Sequence, residues 1–222
     1  MESLQEKAYT TILTQIISLD LLPGQRVFDK DFEKQLDMSR TPVREALMQL
    51  TRNGLLHSVP QSGTYITKID MQKALDARYA RKVLEESIIA ELCANIDPDD
   101  LFLLIQIINS QKRTILKMNS KRFFELDEKF HATIYLLADK TNLWKWLLTF
   151  NYDLNRFRAL RLRDKDLSFD ILVEEHIAIV HALKTGDAQQ AVKLVGHHLD
   201  LMLSEKDEVL SKYPDYFIST RS

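Results

Sequence analysis

The sequence predicts a mainly α-helical protein in which an N-terminal winged helix-turn-helix is followed by an all-α antiparallel helical bundle. Three of the five glycines and three of the five prolines occur before residue 64. The remainder has few helix breakers and is rich in Leu, Ile, Ala, Lys and Glu, which is typical of long helices joined by short loops. We therefore predict a DNA-binding domain over residues 1–69 and a helical domain over 70–222, whose first helix has Asp70 as its N-cap.

Composition limits the classes of protein that fit. The 222 residues are 45% hydrophobic and 28% charged, as expected of a folded chain. A formal charge of -2 excludes a polybasic protein, so any nucleic-acid site must be local. The single Cys93 cannot form an intramolecular disulfide, and the first residues lack a secretory signal. The longest apolar stretch is far shorter than the roughly 20 residues needed to cross a bilayer. These features predict a cytoplasmic protein that does not associate with membranes.

The first 69 residues contain three short helical patterns. Apolar residues at helical spacing predict a first helix from Ser3 to Leu19. A second helix is predicted to begin after Asp29 as N-cap. A third begins after Ser39, whose hydroxyl can cap it while Pro42 occupies the first turn.

Two short strands complete this domain. Leu55 to Pro60 and Thr64 to Thr67 are strand-like segments that flank the turn Gln61-Ser62-Gly63. Three helices and such a hairpin make a winged helix-turn-helix.

The third helix carries side chains suited to reading DNA. Arg40 and Arg44 are four residues apart and project from one face. A guanidinium group can bond bidentately to guanine O6 and N7 in the major groove. Thr41 and the amides of that turn would suit phosphate. Four basic residues and one acidic residue occur between positions 38 and 68, so a basic patch exists despite the acidic total. Taken alone, such an arginine pair is more often only solvated surface charge.

The motifs of this domain resemble those of the GntR family of bacterial transcription regulators. They are Pro23-Gly24-Gln25-Arg26-Val27, the block SRTPVREAL from Ser39 to Leu47, Asn53-Gly54-Leu55-Leu56 and Gly63-Thr64. The resemblance implies that Arg40 and Arg44 read bases, that Ser39 and Thr41 hold the DNA backbone, that Lys30 reaches phosphate or base, and that the wing tip of Gln61, Ser62 and Gly63 enters the minor groove.

The chain departs from the family pattern at three places. Leu19 and Asp37 stand where glycine is usual, and Phe32-Glu33 replaces Leu-Ala. None of these changes alters the two arginines, although Asp37 adds a negative charge near the DNA.

The second domain contains a set of histidines and carboxylates. Asp127 and His131 are four residues apart and can share a helical face. His176 follows Glu174-Glu175, and His198 lies in a later amphipathic segment. Each histidine taken singly is more often structural or exposed than a ligand.

In this order they resemble the FCD effector-binding domain of the FadR subfamily of GntR regulators, over roughly residues 72 to 210. The resemblance implies that Asp127, His131, His176 and His198 ligate a divalent metal ion, with zinc the leading expectation and nickel or manganese as alternatives. His197 competes with His198 for the last position. Arg81 either pairs with an effector carboxylate or forms a helix-surface salt bridge with Glu85.

The leading functional prediction is a homodimeric transcriptional regulator that binds a palindromic operator in double-stranded DNA. The resemblance implies repression more often than activation, with control by a small carboxylate effector at the metal. One alternative is a regulator that responds to the metal alone. Another is a metalloenzyme, although no HExxH pattern, nucleophile elbow or phosphate loop occurs. Helices near Leu101 to Ile115 could supply the dimer interface, and the segment after Pro214 could pack back or take part in pairing.

Overall fold

The computed structural model describes residues 3–164 and 168–219, and it has the predicted winged domain followed by a helical bundle. The winged domain contains α1 (Leu4–Ile17), β1 (Arg26–Val27), α2 (Asp29–Leu36), α3 (Arg40–Arg52), β2 (Leu56–Val59) and β3 (Gly63–Ile66). The bundle contains α4 (Met71–Asn95), α5 (Pro98–Ile115), α6 (Ser120–Leu137), α7 (Thr141–Leu148), α8 (Tyr152–Arg161), α9 (Asp170–Thr185) and α10 (Ala188–Lys212), followed by a 3₁₀ turn at Pro214–Tyr216.

The N-termini of the first three helices differ in how they are capped. Ser3 and Glu6 form a reciprocal capping box at α1. At α2 the cap is Phe28, and the prediction of Asp29 as N-cap is wrong, because Asp29 already lies in the first turn. Ser39 is the N-cap of α3, but its hydroxyl forms no capping hydrogen bond, contrary to expectation. The Ser39 hydroxyl therefore stays exposed beside the recognition helix.

The two positions where the family pattern has glycine both adopt a left-handed backbone. Leu19 has a φ of 60° and Asp37 a φ of 51°. The Asp37 N–H donates to the Glu33 carbonyl and so ends α2. A side chain disfavours this conformation, because its Cβ approaches the following carbonyl. Leu19 is buried at the domain junction, whereas Asp37 is exposed.

The wing is a three-stranded antiparallel sheet in the order β1-β3-β2. The hairpin strands agree with the predicted segments to within one residue at each end, and the register pairs Leu56 with Ile66 and Val59 with Gly63. The sequence did not predict β1, which has only two residues. Gly63 has a φ of 145°, and a Cβ there would lie 2.6 Å from Arg26 Nε. This positive φ favours glycine at the wing tip, whereas the flexible Arg26 side chain could move away from a Cβ.

The core of the winged domain forms where α1, α3 and the sheet meet. Its buried members include Ile12, Ile16, Val43, Leu50 and Ile66. These residues are the apolar faces of their elements, which leaves the opposite face of α3 exposed.

The bundle has a larger core around α5, α6 and α9. Phe123, Phe130 and Ile134 of α6 pack with Leu104 of α5 and Ile179 of α9. Helix α10 runs along α4 and closes the other side. None of the helices within the described residues is long and apolar enough to cross a membrane.

The C-terminal segment up to residue 219 packs back onto the domain junction, as one of the two sequence-based alternatives expected. Ile218 N–H donates to the Ile69 carbonyl, and Ile69 N–H donates to the Tyr216 carbonyl. Phe217 is buried with Phe157 in the core of the junction. Helix α4 begins at Met71, with Asp70 as its cap, as expected.

Candidate metal centre and DNA-binding surface

Three helices bring the four predicted ligands together in the centre of the bundle. Asp127 and His131 come from α6, His176 from α9 and His198 from α10, and one ligand atom of each lies within 4.8 Å of the others. The Nε2 atom of His198 is 3.3 Å from that of His176 and 3.2 Å from that of His131. Asp127 Oδ1 is 3.5 Å from His176 Nε2. All four side chains are buried.

Each histidine is oriented by an oxygen at its other ring nitrogen. His131 Nδ1 lies 2.7 Å from Glu85, and His198 Nδ1 lies 2.8 Å from Glu175. A carboxylate only accepts hydrogen bonds, so both rings carry their proton on Nδ1. His176 Nδ1 lies 3.0 Å from Gln111 Oε1 and donates in the same way. The three Nε2 lone pairs therefore converge on one point.

The charges around the cluster favour the forms that bind metal. Burial, and then the positive charge of Arg81, holds the pKa of His131 well below its ordinary value. Burial and the neighbouring His198 do the same for the pKa of His176. Burial would raise the pKa of Asp127, but Arg158 and the three clustered histidines together outweigh burial, and the net pKa is lowered. At neutral pH His131 and His176 are thus neutral imidazoles beside the carboxylate of Asp127.

These residues fit a divalent cation on structural grounds. Three lone pairs that face one another at 3.2 to 3.3 Å without a proton between them repel, and a cation would remove that repulsion. Asp127 Oδ1 is buried and has no hydrogen-bond partner among the described residues. The histidine and carboxylate donor set suits zinc, nickel or manganese.

A cavity of about 60 Å³ opens beside the cluster and is bordered by Asp127, His131 and His198. Four arginines also line it: Arg78, Arg81, Arg158 and Arg161. Although each is ion-paired, Arg78 Nε, Arg81 Nη2 and Arg161 Nη1 are buried without a hydrogen-bond partner in the described part of the chain. Unpaired buried donors are costly, so the cavity is suited to an anionic or polar guest.

Arg81 combines features of both sequence-based alternatives. Its Nε lies 2.7 Å from Glu85 Oε1, so the ion pair with Glu85 exists, but it is buried and not on the helix surface. Arg81 also lines the cavity, and its Nη2 is buried without a hydrogen-bond partner among the described residues.

The histidines outside the cluster are on the surface. His197 has a side chain that is 72% exposed, and His181 is exposed. Sequence reasoning missed Gln111, the role of Glu175, and the arginines of α8. Arg158 and Arg161 are three residues apart on one helix, and that spacing was the available signal.

The candidate DNA-binding surface lies on the exposed face of α3 and at the wing tip. Arg40, Thr41 and Arg44 are exposed, whereas Val43 and Leu47 point into the core. Lys30 on α2 and Gln61 at the wing tip are also exposed. Ser62 Oγ bonds the hydroxyl of Tyr65, and Gly63 follows it in the turn. Within residues 3–164 and 168–219, none of Arg40, Arg44 and Lys30 forms an ion pair, so their charges are available to DNA.

A winged helix-turn-helix with unpaired arginines on its third helix, joined to a helical domain with a buried polar cavity, defines a class of DNA-binding transcriptional regulators. Residues 4–66 match the bacterial regulatory proteins of the gntR family, and residues 76–201 match the FCD domain. The chain belongs to the GntR family and carries an FCD domain.

Relatives cover nearly the whole chain. The HTH-type transcriptional repressor RspR of Escherichia coli is 24% identical over 216 residues, which are 97% of this chain and 94% of RspR. A regulator in an unstable DNA locus of Streptomyces ambofaciens is 28% identical over 94% of this chain and 87% of its own length. The structure of E. coli McbR/YncC shares the fold, with a TM-score of 0.81 at 20% identity, covering 96% of this chain and 100% of that one.

Proposed function

We propose that the protein is a homodimeric transcriptional repressor whose affinity for a palindromic operator is set by a small carboxylate bound beside a divalent metal ion. The observation that carries this proposal is the arginine-lined cavity beside the clustered histidines, where three of the lining arginines each have a buried nitrogen without a hydrogen-bond partner in the part of the chain that the structure describes. A carboxylate there would satisfy arginine donors such as Arg81 Nη2. The sequence similarity to RspR, which is named a transcriptional repressor, supports repression.

The metal would be held by Asp127, His131, His176 and His198. When bound in the bundle, the metal ion would act as a Lewis acid toward a carboxylate oxygen of the effector. Glu85, Glu175 and Gln111 orient the imidazoles, and Arg158 holds Asp127 in its charged form.

Helix α8 offers a physical route from this centre to the DNA-binding domain. On one side its Arg158 contacts Asp127. On the other side Arg156, fully buried, donates to the Thr67 carbonyl of the linker at 2.6 Å. At the start of α8 the Tyr152 hydroxyl lies 3.3 Å from that of Tyr9 in α1. A ligand that displaces Arg158 can therefore shift the placement of the winged domain, provided that it prefers one arrangement.

Dimerisation is proposed through α5, whose outer face is apolar. Phe102 is 57% exposed and Leu103 is 48% exposed. Two copies would place two recognition helices on the half-sites of a palindrome. Sedimentation velocity measures the mass of the assembly directly.

In keeping with the proposed function, we propose that the protein acts on its operator in the cytoplasm.

The metal-responsive alternative is favoured by one observation, the small size of the cavity. About 60 Å³ leaves space for only a small guest. A thermal-shift panel separates the two functions by adding small carboxylic acids to metal-stripped and zinc-loaded protein. An acid that stabilises only the loaded protein and releases DNA supports the effector; zinc alone releasing DNA supports the metal sensor. If zinc neither stabilises the protein nor alters DNA binding, both proposals fail.

The DNA-binding part is tested with a sequence selected from a random duplex library. Arg44→Ala should weaken binding to the selected sequence by about 1 to 3 kcal/mol and relax discrimination at one base pair. Arg122→Ala, an exposed arginine on α6 of the helical domain, is the control and should change affinity little. An equal loss on selected and random DNA would contradict base reading by Arg44.

A further inference from the structure

A second, larger cavity lies between the two domains and is separate from the metal centre. Its volume is about 430 Å³, and it is bounded by α1 on one side and by α6, α8 and the end of α7 on the other. None of the four clustered metal-binding residues lines it. Cavities of several hundred Å³ are the usual size of small-molecule sites.

The body of this cleft is apolar. Leu13 and Ile17 of α1 face Phe124 of α6, with Leu148 and Ala159 completing the wall. The Tyr152 ring closes the end near Tyr9. Such walls favour a ring or a short hydrocarbon body.

The other end of the cleft is positively charged. Lys121 and Arg163 both line it there, and both face one carboxylate, Asp20. Lys121 Nζ lies 2.7 Å from Asp20 Oδ2, whereas Arg163 is 3.6 Å from Asp20 Oδ1 and donates to the Ser18 carbonyl. Two cations therefore share one anion.

The two carboxylates that also line the cleft have ion-pair partners of their own. Glu125 is paired with Arg122 at 2.6 Å, and Glu128 is paired with Arg158, which also contacts Asp127. Glu128 lies about two helical turns from Lys121, so at the Lys121 end the two cations Lys121 and Arg163 outnumber the single carboxylate Asp20. This positively charged end lies next to the apolar part of the cavity.

From this combination we infer that the cleft between the domains is a binding site for an amphipathic organic anion, with an apolar ring or chain against Phe124 and its single negative group at Lys121 and Arg163. Because α1 forms one wall and α8 the other, such a ligand bridges the DNA-binding domain and the effector domain. It would act as an input independent of the metal-side cavity. The inference does not depend on the function proposed for that cavity.

Calorimetric titration of the full chain with naphthoate, and with the neutral naphthamide as its matched analogue, tests this site. We expect naphthoate to bind at least about tenfold more tightly than naphthamide, because only the anion satisfies the two cations. Metal-stripped and zinc-loaded protein should bind it equally.

Variants locate the ligand. Thr14→Trp, which places a large ring on the exposed rim of the cleft, should weaken naphthoate binding about tenfold or more, while Thr10→Trp, one turn away and outside the cleft, should not. Lys121→Ala should weaken binding several-fold, and Lys129→Ala on the same helix should leave it unchanged. Equal affinity for naphthamide, insensitivity to Thr14→Trp, or loss of binding in His198→Ala would each overturn the inference.

Discussion

The candidate DNA-binding surface and the candidate metal centre use polar side chains in opposite ways. On α3 the arginines are exposed and have no partner in the described structure, so each would act on DNA as an independent charge. In the bundle, every cluster histidine is buried and is held by a second side chain from another element or turn. Substitutions on the first surface should therefore add, whereas those in the centre should couple. The predictions below test this difference.

Removal of a direct ligand should have the largest effect. Asp127→Ala deletes the only carboxylate among the four clustered residues and leaves Arg158 pointing at three imidazoles. We expect zinc affinity to fall by more than about 100-fold, because mutating a residue that only contacts a metal ligand already lowers metal affinity about 10- to 100-fold. Zinc titration by calorimetry measures it, and DNA binding by metal-free protein should stay near that of the wild type. Unchanged zinc affinity would remove Asp127 from the ligand set.

The partners behind the histidines should give the next largest effect. Glu175→Gln weakens the acceptor of the His198 Nδ1 proton, so zinc affinity should fall about 10- to 100-fold. Its neighbour Glu174 is exposed, and Glu174→Gln provides a matched control. If both variants bind zinc alike, the buried contact does not orient His198.

The same contrast explains what could be predicted from the sequence. The recognition helix is a local feature: Arg40, Pro42 and Arg44 lie within one short segment whose motif is specific. The four cluster residues could be named only through their resemblance to a family, because spacing shows that Asp127 and His131 share a face but not that α9 and α10 bring histidines to them.

Other features had no local signal at all. Gln111 is a neutral residue on α5, and the fold brings it to His176, which lies 65 positions further along the chain. The strand β1 forms because β3 offers an edge, and two residues carry too little periodicity to predict it. The left-handed turns at Leu19 and Asp37 could be anticipated from the family glycines at those positions, but only by assuming that the backbone is retained.

The buried histidines should make the metal-free protein sensitive to acid. The pKa values of His131 and His176 lie well below 6.5 in the folded chain and return to about that value on unfolding. Below about pH 6.5 these histidines bind protons in the unfolded state but not in the native state. The free energy of unfolding should therefore fall by up to about 1.4 kcal/mol per pH unit for each histidine. Urea unfolding at about pH 7.5, 6.5 and 5.5 measures the slope. His181→Gln, on the surface, should not alter it; a flat profile would contradict the prediction.

The smallest effect is expected on the DNA-binding side, at the end of α2. Asp37 is exposed and has a left-handed backbone that glycine adopts more easily, so Asp37→Gly should raise the free energy of unfolding by about 0.5 to 1 kcal/mol. It should also tighten DNA binding a few-fold, because a negative charge near phosphate is lost. Asp37→Asn separates the two causes, since it removes the charge but keeps a side chain that tolerates this conformation only in part. In urea unfolding and in DNA titration at one salt concentration, Asp37→Asn should match Asp37→Gly in DNA affinity but not in the free energy of unfolding. If Asp37→Asn matches Asp37→Gly in both stability and DNA affinity, both gains come from removing the charge of Asp37. If the arginines of α3 act as independent charges, the gain in DNA affinity should also persist unchanged in an Arg44→Ala background.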